Sequence, residues 1–245
     1  MVNPGGMLGS GVDALLREYQ TITNNMANMH TAGFKRQVNS FSRHLMQMVH
    51  DAKDARPPEG EVLARGTMDF SQGPVSATRR NLDVAIQGRG FLVVQTPQGP
   101  LYTRNGALQL DRQGNLVDVQ GRIVAGEDGP ILVPPGVSES ELAIGPDGKV
   151  MAGQTQLGRL RIVDFGDRQN ELEPVGFNCC KAPKGLTPQP AARAKLSQGF
   201  LENSNVKVVE ELVDLIAVSR LYEMNMSLLR RQSDNARTIL GVANA

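Results

Sequence analysis

The histidines, the cysteines, the glycine-rich turns and the carboxylates are the residues that any chemistry in this sequence would have to use. The three histidines are His30, His44 and His50. No two of them stand in the H-x-x-x-H or H-E-x-x-H spacing that sets ligands on one helix face around a metal. Cys179 and Cys180 are adjacent. Neighbouring side chains point apart, lack the two-residue spacer of a redox or metal pair, and would close only a strained ring as a disulfide. They read as two small apolar residues near a strand end. Gln87-Gly88-Arg89-Gly90-Phe91 contains G-x-G without the third glycine of a dinucleotide fingerprint, and strand-like residues flank it on both sides, so a hairpin or bulge is expected there. The sequence has no G-x-x-x-x-G-K-S/T phosphate loop and no G-x-S-x-G elbow. Nothing in the pattern brings two carboxylates into one pocket. No catalytic, cofactor-binding or metal-binding set is expected.

Composition narrows the classes further. Lys and Arg number 26 against 25 Asp and Glu, and no long run of one sign occurs, so neither nucleic acid nor an anionic membrane surface is an expected partner. Arg79-Arg80, the nearest thing to a basic cluster, reads as a solvated turn. Aromatics make up 4%, Trp is missing, and Gly 26 with Pro 14 call for many turns, which favours short strands over a thick α/β core. No stretch of about 18 apolar residues marks a membrane span. Met1-Val2-Asn3-Pro4-Gly5-Gly6 lacks the basic and apolar regions of a cleaved secretory signal. Such a chain stays in the cytoplasm or leaves it by a route that removes no signal.

The two ends carry helical periodicity. Leu8, Val12, Leu15, Tyr19, Ile22, Met26 and Met29 follow steps of four and three, an a/d heptad with Asp13, Arg17, Glu18, Gln20, Asn24 and Asn28 opposite. Val208, Leu212, Leu215, Ser219, Tyr222, Met226, Leu229, Ser233, Ala236 and Leu240 keep the same alternation near the C-terminus, and Val206, Val209, Val213 and Ile216 add a second apolar row. Asn203-Ser204-Asn205 supplies candidate N-caps for this second helix. The Met residues in and around both helices read as adaptable core. In Asn24-Asn25-Met26-Ala27-Asn28 three asparagines weaken the first helix, and Gly33 invites its end. A helix that weak suits a segment that orders only when it is packed.

A narrow seam is satisfied by another helix rather than by a sheet, so the two ends should pack on each other or on copies of themselves. A first helix meeting the last helix of another copy makes a heterologous contact that propagates into a filament unless it closes into a ring. The expected subunit contacts are Leu8, Val12, Leu15, Tyr19, Ile22, Asn25, Met26, Asn28 and Met29 at one end. At the other they are Val208, Leu212, Leu215, Tyr222, Met226, Leu229 and Leu240.

Between the helices the period turns strand-like. Runs at 82–86, 91–95, 108–110, 116–119, 131–133, 149–151 and 160–165 are rich in branched residues and separated by turns such as Asn105-Gly106, Gln113-Gly114-Asn115 and Asp147-Gly148. The fold class is therefore α+β: a central antiparallel β-rich domain flanked by N- and C-terminal helices that pair as a coiled coil. The expected boundaries are a helical segment at 1–50, a linker at 51–60 holding Pro57-Pro58, a β domain at 61–200 and a helical segment at 201–245. Residues 180–193, with Pro183, Pro188 and Pro190, read as a loop.

Three motifs carry a resemblance. Asn24-Asn25-Met26-Ala27-Asn28, Thr31 and Gly33-Phe34-Lys35 resemble the N-terminal signature of the flagellar rod and hook protein family, with Met26 where that family has Leu. The exchange conserves volume. Leu82-Asp83-Val84-Ala85-Ile86-Gln87-Gly88 with Gly90-Phe91, Tyr102-Thr103-Arg104-Asn105-Gly106, and residues 111–117 resemble the family's central motifs. Gln198-Gly199-Phe200-Leu201-Glu202, Ser204-Asn205-Val206 and Arg220-Leu221-Tyr222-Glu223 resemble its C-terminal ones. The short span between Lys35 and Leu82, and Gly126-Glu127-Asp128-Gly129-Pro130-Ile131, are more similar to the proximal-rod branch than to the distal-rod one.

The resemblance implies a structural subunit, not an enzyme, of the bacterial flagellar basal-body rod. It would assemble through its terminal helices into a tube that transmits torque from motor to hook. Export through the flagellar export apparatus without signal cleavage, adjacent proximal and distal rod proteins as partners, and helices lining the inside of the tube are implied with it. Two other readings remain open on the residues alone: a secreted oligomeric β-rich binding module with a helical stalk, and an enzyme with a site built from loops of the β domain.

Overall fold

The computed structural model describes residues 4–39 and 66–243, with side chains at 12–39 and 66–231. The chain forms two compact units. Among the described residues the first holds 4–27, 37–39, 66 and 207–243, and the second holds 28–36 and 67–206.

The first unit is built from α1 (Pro4–Ala27), the short strand β1 (Gln37–Asn39) and α2 (Val208–Ala243). Within this unit the two helices pack on each other, and α1 also bonds to β1 through Asn25 and Thr21. Leu15, Ile22 and Val218 are buried between them, with Met26, Leu215 and Leu221 packed around. Asn25 meets Glu211 near the end of α1 and the start of α2, while Leu15, Leu16 and Tyr19 share a cleft with Val218, Ser219 and Tyr222, so the helices run antiparallel.

The buried row differs from the seam expected from apolar spacing. It runs Leu15, Glu18, Ile22 and Asn25 on α1 and Glu211 and Val218 on α2, with the half-buried Leu215 between them, again in steps of three and four. Tyr19 and Leu212, expected inside, are 44% and 42% exposed. Each helix is turned by one residue at alternate positions, and of the polar members of this row Asn25 and Glu211 hydrogen-bond to each other inside. Val12, Tyr222, Met226 and Leu229 are half-buried and Val208 is exposed. Asn28 and Met29 follow the end of α1 in a turn, where the Thr31 N–H donates to the Asn28 carbonyl at 3.1 Å. The side chains of Leu8 and Leu240, and the expected linker at 51–60, lie outside the described residues.

The second unit is antiparallel β throughout. Its strands are β2 (Gly66–Met68, which starts at the unit boundary), β3 (Val75–Ala77), β4 (Val84–Gln87), β5 (Phe91–Thr96), β6 (Gly99–Thr103), β7 (Gln109–Leu110), β8 (Leu116–Val117) and β9 (Leu142–Ile144). β10 (Lys149–Ala152), β11 (Thr155–Arg159), β12 (Ile162–Asp164), β13 (Glu173–Gly176), β14 (Cys179–Lys181), β15 (Gln189–Pro190), β16 (Lys195–Gln198) and β17 (Phe200–Glu202) complete it. One sheet has the order β13-β14-β6-β5-β12-β15 and a second the order β11-β10-β9. The pairs β16-β4, β17-β3 and β7-β8 stand beside them. Because β16 and β17 return to pair with β4 and β3, the last strands of the unit close it against its first.

Two turns of identical design order the middle of this unit. Asp111 Oδ1 accepts the N–H groups of Gln113 and Asn115 at 2.8 Å each, and Asp118 Oδ1 accepts those of Gln120 and Arg122 at 2.9 Å each. Each turn then needs a left-handed residue, supplied by Gly114 (φ 84°) and Gly121 (φ 75°). Leu82, Ile86, Leu92, Leu108, Leu116, Leu142 and Leu160 form the centre of one apolar core. Phe70, Phe91, Tyr102 and Phe165 form a second, with edge-to-face ring contacts at 4.8–5.9 Å.

Three local expectations change. Residues 131–133 form no strand: Leu132 makes only an isolated bridge to Asn115, since Pro130, Pro134 and Pro135 remove ladder donors on both sides. The segment 180–193 contains strand residues at both ends, β14 and β15. Gln87-Gly88-Arg89-Gly90 is not a hairpin but the link between β4 and β5, which belong to different sheets.

Candidate functional site

A buried ionic node in the second unit joins three distant stretches of sequence. Lys35 Nζ lies 2.6 Å from Glu202 Oε1 and also donates to the Ser71 carbonyl at 2.6 Å. Glu202 Oε1 accepts the Gly73 N–H at 3.0 Å, and Glu202 Oε2 stands 3.8 Å from Arg104 Nη1. Arg104 Nη2 donates to the Gly88 carbonyl at 2.8 Å, and its guanidinium lies over the Phe91 ring with 5.6 Å to the centroid. The side chains of Lys35, Arg104 and Glu202 are 4%, 5% and 0% exposed.

Burial pulls the Lys35 ammonium below its ordinary range, against the opposing attraction of Glu202, and burial pulls Arg104 down in the same way. Two cations around one anion form a buried clamp.

Backbone fit locks the same place. Gly33, at φ 68°, carries its N–H to the Glu202 carbonyl at 2.7 Å. A Cβ there would strike the Asn105 amide and lie 2.6 Å from the Arg104 carbonyl carbon. Asn205 does not cap α2, which starts only at Val208. Its Oδ1 accepts the Arg36 N–H at 2.7 Å and its Nδ2 donates to the Asp69 carbonyl at 2.8 Å. The node therefore holds the segments that lead to α1 and α2 side by side.

In the first unit Asn25 has a matching role. Its Oδ1 accepts the Gln37 N–H and its Nδ2 donates to the Gln37 carbonyl, both at 2.8 Å, and Nδ2 also donates to Glu211 Oε2 at 3.1 Å. Outside this inner row, α2 exposes apolar residues: Val209 at 74%, Val213 at 60% and Ile216 at 54%, with Leu212, Met224 and Leu228 beside them. Among the described residues, no group of three or more His, Cys, Asp and Glu is placed to hold a metal, and no helix is long and apolar enough to cross a membrane.

The geometry offers a buried clamp and an exposed apolar helix face. Residues 85–152 match the family described as flagellar hook protein FlgE/F/G D1 domain, and residues 197–242 match that of flagellar basal body rod FlgEFG protein C-terminal. The FlgG basal-body rod protein of Buchnera aphidicola subsp. Schizaphis graminum is 37% identical over 88% of this chain and 90% of its own length. The FlgF basal-body rod proteins of Escherichia coli and Caulobacter vibrioides are 34% and 32% identical over 90% and 91% of this chain, and over the same shares of their own lengths.

The chain belongs to the flagellar basal-body rod protein family.

Within this rod-family chain the motifs that carried the resemblance acquire a physical meaning. Lys35 closes the N-terminal signature, Arg104 closes Tyr102-Thr103-Arg104, and Glu202 closes Gln198-Gly199-Phe200-Leu201-Glu202, so one contact joins all three. Sequence reasoning named these residues only as parts of motifs. The signal that singles them out is a lone charge ending an otherwise apolar or glycine-bearing run, the pattern a buried and paired charge leaves.

Proposed function

We propose that this chain is a structural subunit of the bacterial flagellar basal-body rod. It assembles through its terminal helices with neighbouring proximal and distal rod subunits and carries torque from motor to hook. The observation that carries the reading is the inverted helix face: α2 buries Glu211 completely while exposing Val209, Val213 and Ile216. An exposed apolar row on a soluble helix calls for a partner. Among the described side chains, Leu15, Ile22 and Val218 make a small buried core between the helices, and neighbouring copies supply further burial, so that assembly completes the ordering of the helices.

The expected neighbour contacts comprise Leu8, Val12, Tyr19, Met26, Val208, Leu212, Tyr222, Met226, Leu229 and Leu240, together with that outer row, and a coiled-coil arrangement between copies fits their spacing. Asn28 and Met29, in the turn after α1, are expected neighbour contacts too. The short span between Lys35 and Leu82 supports the proximal-rod subtype. Export through the flagellar apparatus without signal cleavage goes with this reading.

Replacing Val209, Val213 and Ile216 together by Ser tests it. The chain should still be made and exported, with its β unit as stable as before, while rods and motility are lost. Normal rods built from the triple variant would reject the proposal.

A further inference from the structure

Asn25 is 1% exposed and Glu211 fully buried, and they meet where α1 ends and α2 begins. Both amide hydrogens of Asn25 are used, one on the Gln37 carbonyl and one on Glu211 Oε2, while its oxygen takes the Gln37 N–H. The position accepts only an amide of this length. Asp would set an acceptor against the Gln37 carbonyl and a second carboxylate against Glu211, and Gln would carry the amide one methylene too far.

The rest of the inner row does not choose a register, because Leu15, Ile22, Leu215 and Val218 would bury equally well after a slip of one heptad. The polar members do choose. Opposite numbers in the native pair, such as 25 and 211, sum to about 236. A slip one way sets Glu211 against Glu18, two buried carboxylates, and a slip the other way sets Asn25 against Val218, which offers its amide nothing.

We propose that the Asn25–Glu211 hydrogen bond is the register key of the helix pair, a specificity-determining contact that fixes how far α1 and α2 are offset along their common axis. The intrachain register stands on this geometry alone, and only its consequence for neighbouring copies rests on the rod-subunit reading. A single buried polar contact that selects one register at some cost in stability is the best-attested use of such groups.

Cysteine cross-linking of the dilute full-length chain reads the register directly. Tyr19 and Ser219 line one cleft between the helices. Tyr19→Cys paired with Ser219→Cys reports the native register, whereas Tyr19→Cys with Leu212→Cys, or with Met226→Cys, reports a slip of one heptad in either direction. In the otherwise native chain only the first pair should form a disulfide. With Asn25→Leu and Glu211→Leu added, the slipped pairs should cross-link to within about threefold of the native one, at unchanged helix content by circular dichroism, whereas Glu211→Gln, which keeps an acceptor oxygen for Asn25, should retain the single register.

Should the double leucine variant not fold, Asn25→Gln replaces it and is read in the same way. Cross-linking confined to the native pair in the leucine background, slipped pairs in the native chain or in Glu211→Gln, or no cross-link at all in the native chain, would each overturn the proposal. None of these results depends on whether the chain builds rods, which the outer-row serine variant decides separately.

Discussion

Lys35 Nζ and Glu202 Oε1 stand 2.6 Å apart across 167 positions of sequence. Arg104 faces the same carboxylate, so Glu202 is the anion that two buried cations share. Glu202→Gln leaves both cations in a low-dielectric interior without it. The β unit should lose on the order of 3–5 kcal/mol, the cost of breaking a buried pair from one side. Arg168→Ala, which removes an exposed pair with Glu171 that solvent screens, should cost far less. Urea midpoints of the two variants check both; equal losses would mean the node is no more than a surface ion pair.

The thiols give stability a pH dependence with a definite sign. Burial, and then the neighbouring Cys179, push the Cys180 thiol from an ordinary 9.0 up to about 12. The folded chain holds this proton more tightly than the unfolded one, so the contribution is fully present below pH 9 and is lost as pH rises from 9 to 12. Lys35, lowered by burial, acts oppositely, since the unfolded chain holds that proton more tightly and stability gains as pH climbs from the lowered value to 10.5. Comparing the native chain with Cys180→Ala cancels the lysine. The alkaline loss should be smaller in the variant, and in the native chain neither thiol should react with a thiol reagent at pH 8 until denaturant is added.

Gly33 and Gly106 tie the node to the sheets at positions where no side chain fits. A Cβ on Gly106 would strike the Val84 carbonyl, and one on Gly33 would meet the Asn105 backbone at a φ of 68°. Gly33→Ala should cost roughly 2 kcal/mol or more from the left-handed backbone and the clash together. Gly153, also left-handed at φ 58° but with open space around it, should lose only the backbone part when changed to Ala. Thermal melts of the two alanine variants separate clash from strain.

Much of the fold was legible because turn chemistry is local. Gln113-Gly114-Asn115 and Asp147-Gly148 mark turns that the structure has, and the branched-residue run from Leu82 to Ile86 marks a strand without reference to anything distant. The inner face of the helix pair was not legible. Apolarity favours Tyr19 over Glu18 and Met26 over Asn25, yet Glu18 and Asn25 are the buried ones, and what decides is a backbone twelve residues on at Gln37 and a carboxylate 186 residues away at Glu211. A polar residue goes inside when its partners are already there, and partners that far apart in sequence leave no periodicity. The ionic node was half legible for the same reason: each motif shows its charged residue, and none shows that the three meet.

Phe177 supplies the last prediction. It sits with Asn178 in the two-residue loop between β13 and β14, at φ 48° and 56°. These values are the left-handed pair that twisted hairpins require and that Asn or Gly adopt most readily. Asn178 fits the requirement, and its side chain donates to the Ala32 carbonyl at 2.9 Å. Phe177 does not fit. A bulky residue held left-handed costs about 1–2 kcal/mol, and at 70% exposure the ring recovers little of this by burial. Phe177→Asn should therefore raise the stability of the β unit by roughly 1 kcal/mol, read as a higher urea midpoint at unchanged slope. A lower midpoint would show that the ring contributes packing that outweighs the strain of its backbone.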